Sequence, residues 1–538
     1  MTSTASNSPA SDPFVRPGAS VPDPSATGEA YVSGTGGLET MFAAVAAEHP
    51  EAEAIVDGEV RLTFGGWWRR SGLAAAALAS LGVGAGDVVC LVLPSSADFA
   101  VAYLAAMRLN AIVTAANPRL GAVEVAHILR RTSPAAIVTD APDRLPADRP
   151  ANVPVLRPAD LEPPDAGGAR LDGVVPSAPG DPAVVVWTTG TTGTPKGAWF
   201  DHEALWTMAR NMGPLSAPGD RKLMPVPFAH AAFMTRVHDQ LLHRAALILT
   251  PREWTAPSML DVLERERVTV GQGVPAQWEK LVALDGLAAA DLSHLRLAST
   301  GAGRVPPSLV HAMRERLGCP VVVRYASTEL PLCFGTGLDD PADVVAATVG
   351  RALGDVEAEV RAESGEVLAA GEAGRVHVRS RGSMRGYWDE PELTARTLAP
   401  EGWIATSDHG SLDAAGNLTI IGRTDDAYIR GGYNVHPSEV ERVLLEHPRI
   451  ERAAVVGSPA PVIGEVGVAF AVAAPGGPAP SGAEVRAWCR GRIADYKAPD
   501  IVVWADDLPV NATYKIDRSE LRRRAARAVA AQPPRPSR

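Results

Sequence analysis

Residues 187–197 read Trp187-Thr188-Thr189-Gly190-Thr191-Thr192-Gly193-Thr194-Pro195-Lys196-Gly197, and they follow a short apolar run, residues 182–186, that is typical of a buried strand. Glycines permit close approach of a ligand to the backbone, while hydroxyl and N–H groups can donate hydrogen bonds to anionic oxygens. Lys196 adds a positive charge suited to a polyphosphate. The spacing of a Walker loop is absent. The residues by themselves therefore leave two interpretations open, a phosphate-binding loop of another kind and a solvated hairpin.

Strand and helix patterns alternate along the first half of the chain. The β-branched run 87–93, for example, precedes a helical pattern at 98–109. Such βαβ spacing predicts a mostly parallel sheet covered by helices on both faces. From Val356 the residues alternate between apolar and polar, which predicts a small antiparallel unit. The segment 141–181, rich in Pro, Ala and Asp, is predicted to be a surface connection.

The composition divides the chain into three parts. Residues 1–36 are rich in Ser, Pro, Ala, Thr and Gly, too poor in large apolar groups to offset the entropy of ordering, and are predicted to be a disordered leader. Residues 37–425 form the large α/β part, and residues 426–538 an α+β module. We therefore predict an α/β protein whose large amino-terminal domain has parallel or mixed sheets plus a small β-rich unit, followed by a smaller carboxy-terminal domain.

The overall charge and the cysteines exclude several classes of protein. The 538 residues carry a formal net charge of −11, which does not favour nucleic acid or an anionic membrane as a partner. No apolar run reaches the length of a membrane-spanning helix, and the amino terminus lacks a signal-peptide pattern. The four cysteines are scattered without a Cys-x-x-Cys pair, against a disulfide framework or a zinc site. We expect a cytoplasmic protein.

Residues Thr188 to Gly197 closely resemble the signature loop of the adenylate-forming superfamily, which includes acyl-CoA synthetases, firefly luciferases and peptide-synthetase adenylation domains. Three further segments resemble motifs of this family in the family's order. They are Tyr325-Ala326-Ser327-Thr328-Glu329, similar to Tyr-Gly-x-Thr-Glu, Thr406-Ser407-Asp408, similar to Thr-Gly-Asp, and Gly422-Arg423. The resemblance extends from Leu38 to Arg524, and it identifies the acyl-CoA synthetase branch.

The resemblance implies a site for ATP and AMP. Tyr325 would stack on adenine, while Asp408 and Arg423 would bind the ribose. Glu329, together with Thr191, would hold the Mg²⁺ that accompanies ATP, a role that suits a carboxylate combined with phosphate oxygens. The residues alone also allow Ser327 or Thr328 to cap a helix. The implied nucleotide-binding residues are Thr188, Thr189, Gly190, Thr191, Thr192, Gly193, Lys196, Gly301, Ala302, Gly303, Tyr325, Ala326, Ser327, Thr328, Asp408 and Arg423.

The resemblance also implies catalytic residues and a moving carboxy-terminal domain. Lys515 would bridge the substrate carboxylate and the α-phosphate, although an isolated lysine is more often a surface residue. His230 would gate the acyl site, where the alternative is a core histidine. Asp425 would be the hinge about which the domain turns. The segment that would replace the lysine after rotation and line a tunnel for the pantetheine arm of coenzyme A is Arg430, Gly431, Gly432 and Tyr433, or else a glycine turn before the next helix.

The acyl pocket is predicted to be roomy and uncharged. Its expected lining residues are His230, Ala231, Ala232, Ala302 and Ala326. Because the aspartate that anchors amino acids in the peptide-synthetase branch is absent, the resemblance implies a bulky hydrophobic acid that is long-chain, aryl or polycyclic. The implied reaction uses ATP, Mg²⁺ and coenzyme A, forms an acyl-adenylate and then a thioester, and belongs to secondary metabolism in a monomer or homodimer.

The sequence departs from the family pattern at four positions. Ala326, Ser407 and Tyr514 stand where the family commonly has glycine, and Arg375 stands where glutamate is frequent. Added side chains there could crowd ATP or displace Lys515. Three alternatives therefore remain open: a member that only transfers a ready-made acyl-adenylate to coenzyme A, a ligase that loads a carrier protein, and a non-catalytic binder of acyl groups or nucleotides.

Overall fold

The computed structural model describes residues 38–147, 149–150, 152–162, 171, 173–189, 194–303, 305–423, 426–430, 433–460, 463–511 and 515–531. The expected leader lies outside these residues. So do several predicted site residues, namely Gly190, Thr191, Thr192, Gly193, Asp425, Gly431, Gly432 and Tyr514.

The described chain alternates between helices and strands throughout. The helices are α1 (Leu38–Glu48), α2 (Phe64–Ser80), α3 (Ala97–Arg108), α4 (Ala122–Thr132), α5 (His202–Arg210), α6 (Ala231–Met234), α7 (Val237–Leu242), α8 (Ala256–Arg265), α9 (Pro275–Val282), α10 (Pro307–Leu317), α11 (Ala342–Ala347), α12 (Pro391–Thr397), α13 (Pro437–Leu445), α14 (Gly482–Arg490) and α15 (Arg518–Ala530). The strands are β1 (Glu53–Asp57), β2 (Val60–Thr63), β3 (Val88–Val92), β4 (Ile112–Ala115), β5 (Ala136–Thr139), β6 (Val155–Leu156), β7 (Pro182–Thr189), β8 (Pro195–Asp201), β9 (Arg221–Met224), β10 (Ala246–Leu249), β11 (Val270–Gly273), β12 (Leu297–Gly301), β13 (Val321–Tyr325), β14 (Phe334–Gly335), β15 (Arg351–Ala352), β16 (Glu357–Arg361), β17 (Ala373–Arg379), β18 (Gly386–Tyr387), β19 (Ile404–Leu412), β20 (Leu418–Arg423), β21 (Tyr428–Arg430), β22 (Tyr433–Val435), β23 (Ile450–Ala460), β24 (Gly464–Ala473) and β25 (Ile501–Trp504).

Two large sheets, parallel at their centres, form the amino-terminal part. One has the strand order β15-β14-β13-β12-β11-β9-β10-β1-β2, and the other β18-β8-β7-β4-β3-β5-β6. Their central strands pair in parallel, and the outer strands pair antiparallel except at β6, which lies parallel to β5, so the predicted α/β class is confirmed. The prediction that 141–181 is only a surface connection is wrong, because β6 within it extends the second sheet beside β5. Only two residues pair there, too few to leave an alternating pattern.

A continuous apolar core joins the two large sheets. It includes Phe42, Trp67, Phe99, Phe228 and Phe233, all at most 1% exposed, and it packs the helices between the sheets. Because one core serves both sheets, the strand ends that carry the predicted motifs are held in fixed relative positions.

The β-rich unit and the carboxy-terminal unit follow the predicted order. Strands β16, β17, β19 and β20 form a four-stranded antiparallel sheet, as the alternating pattern from Val356 predicts. The carboxy-terminal strands β21 to β25 form a separate sheet with α13 to α15 packed on it and apolar cores of its own. This confirms an α+β carboxy-terminal domain. Among the described helices, none has both the length and the apolar character needed to cross a membrane.

The carboxyl ends of β12 and β13 lie side by side. Gly301 pairs with Arg324, and a Cβ at position 301 would overlap the Arg324 carbonyl oxygen, so only glycine permits this approach. Ala302 follows with φ +60°, a left-handed conformation that is uncommon for a residue with a side chain. In an open α/β sheet, ligands bind at such strand ends.

Candidate active site

The two described ends of the signature segment lie on neighbouring antiparallel strands. Strands β7 and β8 pair Thr188 with Lys196 and Trp187 with Gly197. The Trp187 indole donates a 2.8 Å hydrogen bond to Thr114 Oγ1, and a Cβ at Gly197 would lie 2.9 Å from Val185, so the two strands are tightly packed at the base of the turn. The tip, residues 190–193, lies outside the described residues. The hairpin interpretation therefore describes the backbone and is compatible with phosphate binding by the same turn.

Tyr325, Asp408 and Arg423 meet at one place although they come from three strands. The Tyr325 phenol donates a 2.5 Å hydrogen bond to Asp408 Oδ2, and Arg423 Nε lies 3.8 Å from Asp408 Oδ1. Burial, reinforced by the charge of Asp408, raises the pKa of Tyr325 well above its ordinary value, so the phenol remains a donor. The structure thus places together the residues that the sequence assigned to adenine and ribose.

The Asp408 backbone is fixed by its neighbours on β19. Its N–H donates to Thr406 Oγ1 at 3.1 Å, and the Thr406 hydroxyl donates to the Val376 carbonyl at 2.7 Å. Arg375 Nε donates to the Thr406 carbonyl at 2.6 Å and Nη2 to the Ala405 carbonyl at 3.1 Å. Arg375, one of the four departures, therefore supports the strand that presents Asp408.

Two other departures lie on the surface of this region. Ala326 is exposed just after the end of β13, and Ser407 is a partly exposed residue within β19. Gly301 is partly buried, while Ala302 and Gly303 are exposed at the end of the neighbouring strand β12. The strand ends therefore form an open edge.

Glu329 is held in a turn beside β18. Its Oε1 accepts a 2.6 Å hydrogen bond from the Tyr387 phenol, and its carbonyl accepts from the Met384 N–H at 2.8 Å. Burial and the charge of Glu329 raise the pKa of Tyr387, which keeps this phenol a donor. No helix begins at Ser327 or Thr328, and Ser327 Oγ instead accepts from the Leu330 N–H at 3.2 Å, so the helix-cap interpretation is wrong.

Glu329 fits a magnesium ion that is shared with substrate. Among the described residues, no group of three or more His, Cys, Asp or Glu side chains could hold a metal ion. Magnesium bound through one carboxylate takes its remaining ligands from phosphate oxygens and water. The carboxylate of Glu329 suits this arrangement, because one oxygen is fixed by Tyr387 and the other accepts no hydrogen bond within the described residues.

Lys515 reaches the amino-terminal site. Its segment is closed by two hydrogen bonds with Asn511, from Lys515 N–H to Oδ1 at 3.1 Å and from Asn511 N–H to the Lys515 carbonyl at 2.7 Å. Burial lowers the pKa of the Lys515 ammonium, and the charge of Arg423 lowers it further. The Lys515 charge in turn acts on His230, a residue of the amino-terminal part.

His230 immediately precedes helix α6, and the charge of Lys515 acts on its ring. Its Nδ1 accepts a 3.2 Å hydrogen bond from the Ala232 N–H, which fixes the ring. Burial lowers the pKa of His230 to about 4, and the charges of Lys515 and Arg236 act in the same direction. The imidazole is therefore neutral at pH 7. Of the two alanines that follow, Ala231 is buried in the core at 4% exposure and Ala232 is partly exposed.

Arg430 and Tyr433 of the proposed pantetheine segment contact other residues of the carboxy-terminal unit. Arg430 donates from Nε and Nη2 to the Asp500 carboxylate, both at 2.9 Å. Tyr433 is 56% exposed and its ring stacks on Tyr496 with centroids 4.4 Å apart. The structure does not join these residues to the group formed by Lys515 and His230.

Sequence reasoning missed two arginines, Arg236, whose charge acts on His230, and Arg324, on which the charge of Arg236 acts. Arg236 lies just after α6, and Arg324 is the fourth residue of β13. A signal was available, because Arg324 interrupts the β-branched run Val321 to Val323, where a charged residue is unusual. The prediction of an uncharged acyl pocket was based on the alanines, and it did not consider these two arginines.

The comparisons with known proteins agree with this geometry. The family model described as AMP-binding enzyme matches residues 42–388, and the model described as AMP-binding enzyme C-terminal domain matches residues 439–515. The chain is 33% identical to a 3-[(3aS,4S,7aS)-7a-methyl-1,5-dioxo-octahydro-1H-inden-4-yl]propanoyl:CoA ligase of Rhodococcus jostii (strain RHA1), over 89% of this chain and 96% of the relative. It is also 33% identical to a feruloyl-CoA synthase of an Amycolatopsis species, over 88% of this chain and 96% of the relative.

Solved structures have the same architecture. A fatty acyl CoA synthetase of Mycobacterium tuberculosis superposes with a TM-score of 0.75 at 29% identity, over 91% of this chain and 99% of that one. The two family models cover the strand ends at Gly301 and Tyr325 and the carboxy-terminal unit up to Lys515. The chain belongs to the AMP-binding enzymes, in the acyl-CoA synthetase branch of the adenylate-forming superfamily, and is an ATP-dependent, AMP-forming acid–thiol ligase.

Proposed function

We propose that this enzyme activates a bulky hydrophobic carboxylic acid as its acyl-adenylate and transfers the acyl group to coenzyme A. The observation that carries the proposal is the position of Lys515, which comes from the carboxy-terminal unit yet lies close enough to His230 and Arg423 for their charges to interact. Two relatives that act on a bicyclic propanoate and on a ferulate, by their names, support a bulky acid.

The first half-reaction follows from the charges around the lysine. The acid's carboxylate attacks the α-phosphorus of ATP and pyrophosphate leaves. Lys515, as a cation between the two anionic groups, stabilises the charge that develops on their oxygens. Asp408 accepts hydrogen bonds from the ribose hydroxyls and Tyr325 covers the adenine, so that the α-phosphate is held beside the lysine. Glu329 and Thr191 would hold Mg²⁺, which neutralises phosphate charge.

The second half-reaction requires coenzyme A, instead of Lys515, beside the acyl-adenylate. We propose that the carboxy-terminal domain, residues 426–538, turns about Asp425 relative to residues 37–425, so that Lys515 leaves and the segment from Arg430 to Tyr433 arrives. The thiol of coenzyme A then attacks the acyl carbonyl and AMP leaves. In this proposal His230 lies at the entry of the acyl pocket and moves when coenzyme A enters. Because its imidazole is neutral, the movement buries no charge.

Two further features of the enzyme are proposed with it. The four cysteines are free and buried, which supports a reducing compartment such as the cytoplasm. The residues proposed to line the acyl pocket, with His230 and Ala232 on α6 and Ala302 and Ala326 at the strand ends, have small side chains apart from the histidine, which supports a wide acid.

Mass spectrometry tests the proposal directly. The purified full chain is incubated with ATP, Mg²⁺, coenzyme A and a panel of aryl, fatty and polycyclic acids. We expect acyl-CoA and AMP to appear together for the bulky acids. Thioester formed only from synthetic acyl-adenylates would contradict the first half-reaction, and turnover of short acids alone would contradict the bulky substrate.

A further inference from the structure

Two arginines that no motif includes, Arg236 and Arg324, interact with one another between the start of α7 and the end of β13. Arg236 follows α6, six residues after His230, and donates from Nη2 to the Pro331 carbonyl at 2.5 Å and from Nη1 to Met212 Sδ at 3.0 Å. Arg324 extends from β13 over Gly335, whose added Cβ would lie 3.3 Å from Arg324 Cδ. Both side chains are only partly buried by accessible area, although they lie inside the protein, so each faces an internal space.

The hydrogen-bonding capacity of these arginines is not used within the described structure. The Nε atoms of Arg236 and Arg324 are inaccessible and have no hydrogen-bond partner. The Arg324 guanidinium forms no hydrogen bond or ion pair with any described residue, and Arg236 makes one bond to a neutral carbonyl and one to sulfur. A guanidinium withdrawn from water without a charged partner is costly, and native proteins normally avoid it unless a ligand completes the site.

The protein's own carboxylate does not compensate the two charges. Asp239 is the carboxylate whose charge acts on both arginines. Its Oδ2 is already 2.6 Å from Lys222 Nζ, and its Oδ1 is 3.0 Å from His243 Nδ1. Burial, with the charge of Arg236 acting in the same direction, lowers the pKa of Arg324 to about 9. The floor of the pocket therefore keeps an excess of positive charge.

The cations follow one another along the site. His230 responds to the charges of Lys515 and Arg236, Arg324 responds to Arg236, and Lys515 responds to Arg423. These interactions link Arg423 to Lys515, Lys515 to His230, His230 to Arg236 and Arg236 to Arg324. Arg236 lies between the end of α6 at Met234 and the start of α7 at Val237, six residues after His230 in the chain. An acid whose reacting carboxylate lies at Lys515 would pass His230 and end at the two arginines.

We propose that the acid carries a second carboxylate at its far end, and that Arg236 and Arg324 bind it. The proposal rests on the proposed function, because it names the substrate class of the same site. A carboxylate between two guanidinium groups accepts charge-assisted hydrogen bonds from both, and it supplies the negative charge that the described residues lack. The hydrophobic body of the acid then spans the interval beside His230.

The test compares three acids of equal length that differ only at the far end. Decanoic acid, 9-oxodecanoic acid and decanedioic acid end in a methyl group, a ketone and a carboxylate, and an aryl scaffold with the same three ends forms a second series. Formation of acyl-CoA by the full chain is measured for each. We expect kcat/KM for the diacid to exceed that for the methyl-terminated acid by on the order of 100-fold, with the ketone between them.

The ratio of diacid to methyl-terminated acid is then measured for Arg324→Met and Arg236→Met. We expect each substitution to reduce the ratio to within roughly threefold of unity. The matched control is Arg523→Met, since Arg523 is 66% exposed on α15, and it should keep the wild-type ratio. Binding is measured separately by melting temperature. The diacid should raise the melting temperature of the wild type but not that of Arg324→Met. Without ligand, Arg324→Met should melt no lower than the wild type, because the substitution removes an unpaired buried charge.

The outcomes separate this inference from the proposed function. Equal turnover of all three ends by the wild type, or preference for the ketone over the carboxylate, overturns the second carboxylate and leaves the ligase activity standing. Failure of every acid in the aryl, fatty and polycyclic panel to give acyl-CoA overturns the proposed function itself. A ratio that survives both arginine substitutions overturns the assignment of these residues.

Discussion

The Tyr325 phenol and the Asp408 carboxylate are joined by a 2.5 Å hydrogen bond that links the end of β13 to β19. If Asp408 binds the ribose, this bond orients the carboxylate before ATP arrives. Tyr325→Phe keeps the ring and removes the bond, so we expect KM for ATP to rise roughly fivefold, the effect of about one hydrogen bond, while kcat changes less. Initial rates at varied ATP give the answer.

Tyr428→Phe is the matched control for that change. The Tyr428 hydroxyl is buried in the carboxy-terminal unit and has no hydrogen-bond partner within the described structure. Its removal should leave KM for ATP unchanged. Equal KM values for Tyr325→Phe and wild type would show that the bond does not prepare Asp408.

Lys515→Ala should separate the two half-reactions. Because the lysine is the cation brought to His230 from the carboxy-terminal unit, its loss should slow exchange of pyrophosphate into ATP by on the order of 10²–10³-fold. Thioester formation from synthetic acyl-adenylate should fall much less. Lys280→Ala, which alters an exposed lysine on α9, serves as the control. Equal losses in both half-reactions would contradict the assigned role.

The protonation of Lys515 also predicts a pH profile. Burial first, and Arg423 second, lower its pKa below the ordinary lysine value. A lowered pKa means that the ammonium loses its proton, and its charge, at a lower pH than an ordinary lysine. The alkaline limb of pyrophosphate exchange should therefore fall at a lower pH than the pKa of an ordinary lysine, and it should be absent from the residual activity of Lys515→Ala.

Tyr387→Phe should alter the magnesium dependence. The phenol fixes one oxygen of Glu329 at 2.6 Å, and residues that orient a ligand commonly change metal affinity by tenfold or more when removed. We expect the Mg²⁺ concentration for half-maximal pyrophosphate exchange to rise roughly tenfold. An unchanged magnesium curve, with the same kcat, would show that Glu329 does not hold the ion.

His238→Leu should make the fold less sensitive to acid. The ring is 0% exposed, neither nitrogen has a partner in the described structure, and burial holds its pKa well below the ordinary value. The unfolded chain binds a proton at His238 below about pH 6.5 and the folded chain does not, so stability falls as pH is lowered through that value. Denaturant unfolding at pH 7 and pH 5 measures this.

The leucine variant should gain about 2 kcal/mol relative to wild type between pH 7 and pH 5, since the linkage is removed. His311→Leu is the control, because His311 is exposed on α10. Parallel pH dependence of the His238→Leu and wild-type proteins would mean that the buried ring is protonated in the fold.

Local patterns predicted most of the fold. The run at 87–93 forms β3 (Val88–Val92), and the helical pattern at 98–109 forms α3 (Ala97–Arg108), because β-branched residues and the Ser96 cap act within a few positions. Strand β6 was missed because two residues paired at a sheet edge leave no periodic signal. Its pairing depends on the register of β5, which is a property of the tertiary fold.

The motifs predicted which residues to examine in the site, but not how they are joined. The bonds from Tyr325 to Asp408, from Tyr387 to Glu329 and from Arg375 to the carbonyls of β19 connect residues far apart in the chain. Spacing within a motif contains no information about such contacts. The motifs did not identify Arg236 and Arg324 for the same reason. Neither residue belongs to a motif, and only the packing of the fold brings them near one another.

Gly422 lies where the two units meet, and the space beside it is too small for a side chain. A Cβ at this position would lie 2.6 Å from Ser438 Oγ and 3.2 Å from His436 Cβ, and the Ser438 hydroxyl bonds to the Ile421 carbonyl. A methyl group at position 422 would thus penalise this docked arrangement specifically. If the carboxy-terminal unit turns as proposed, the size of one side chain outside the reacting site would set the share of time available to each half-reaction.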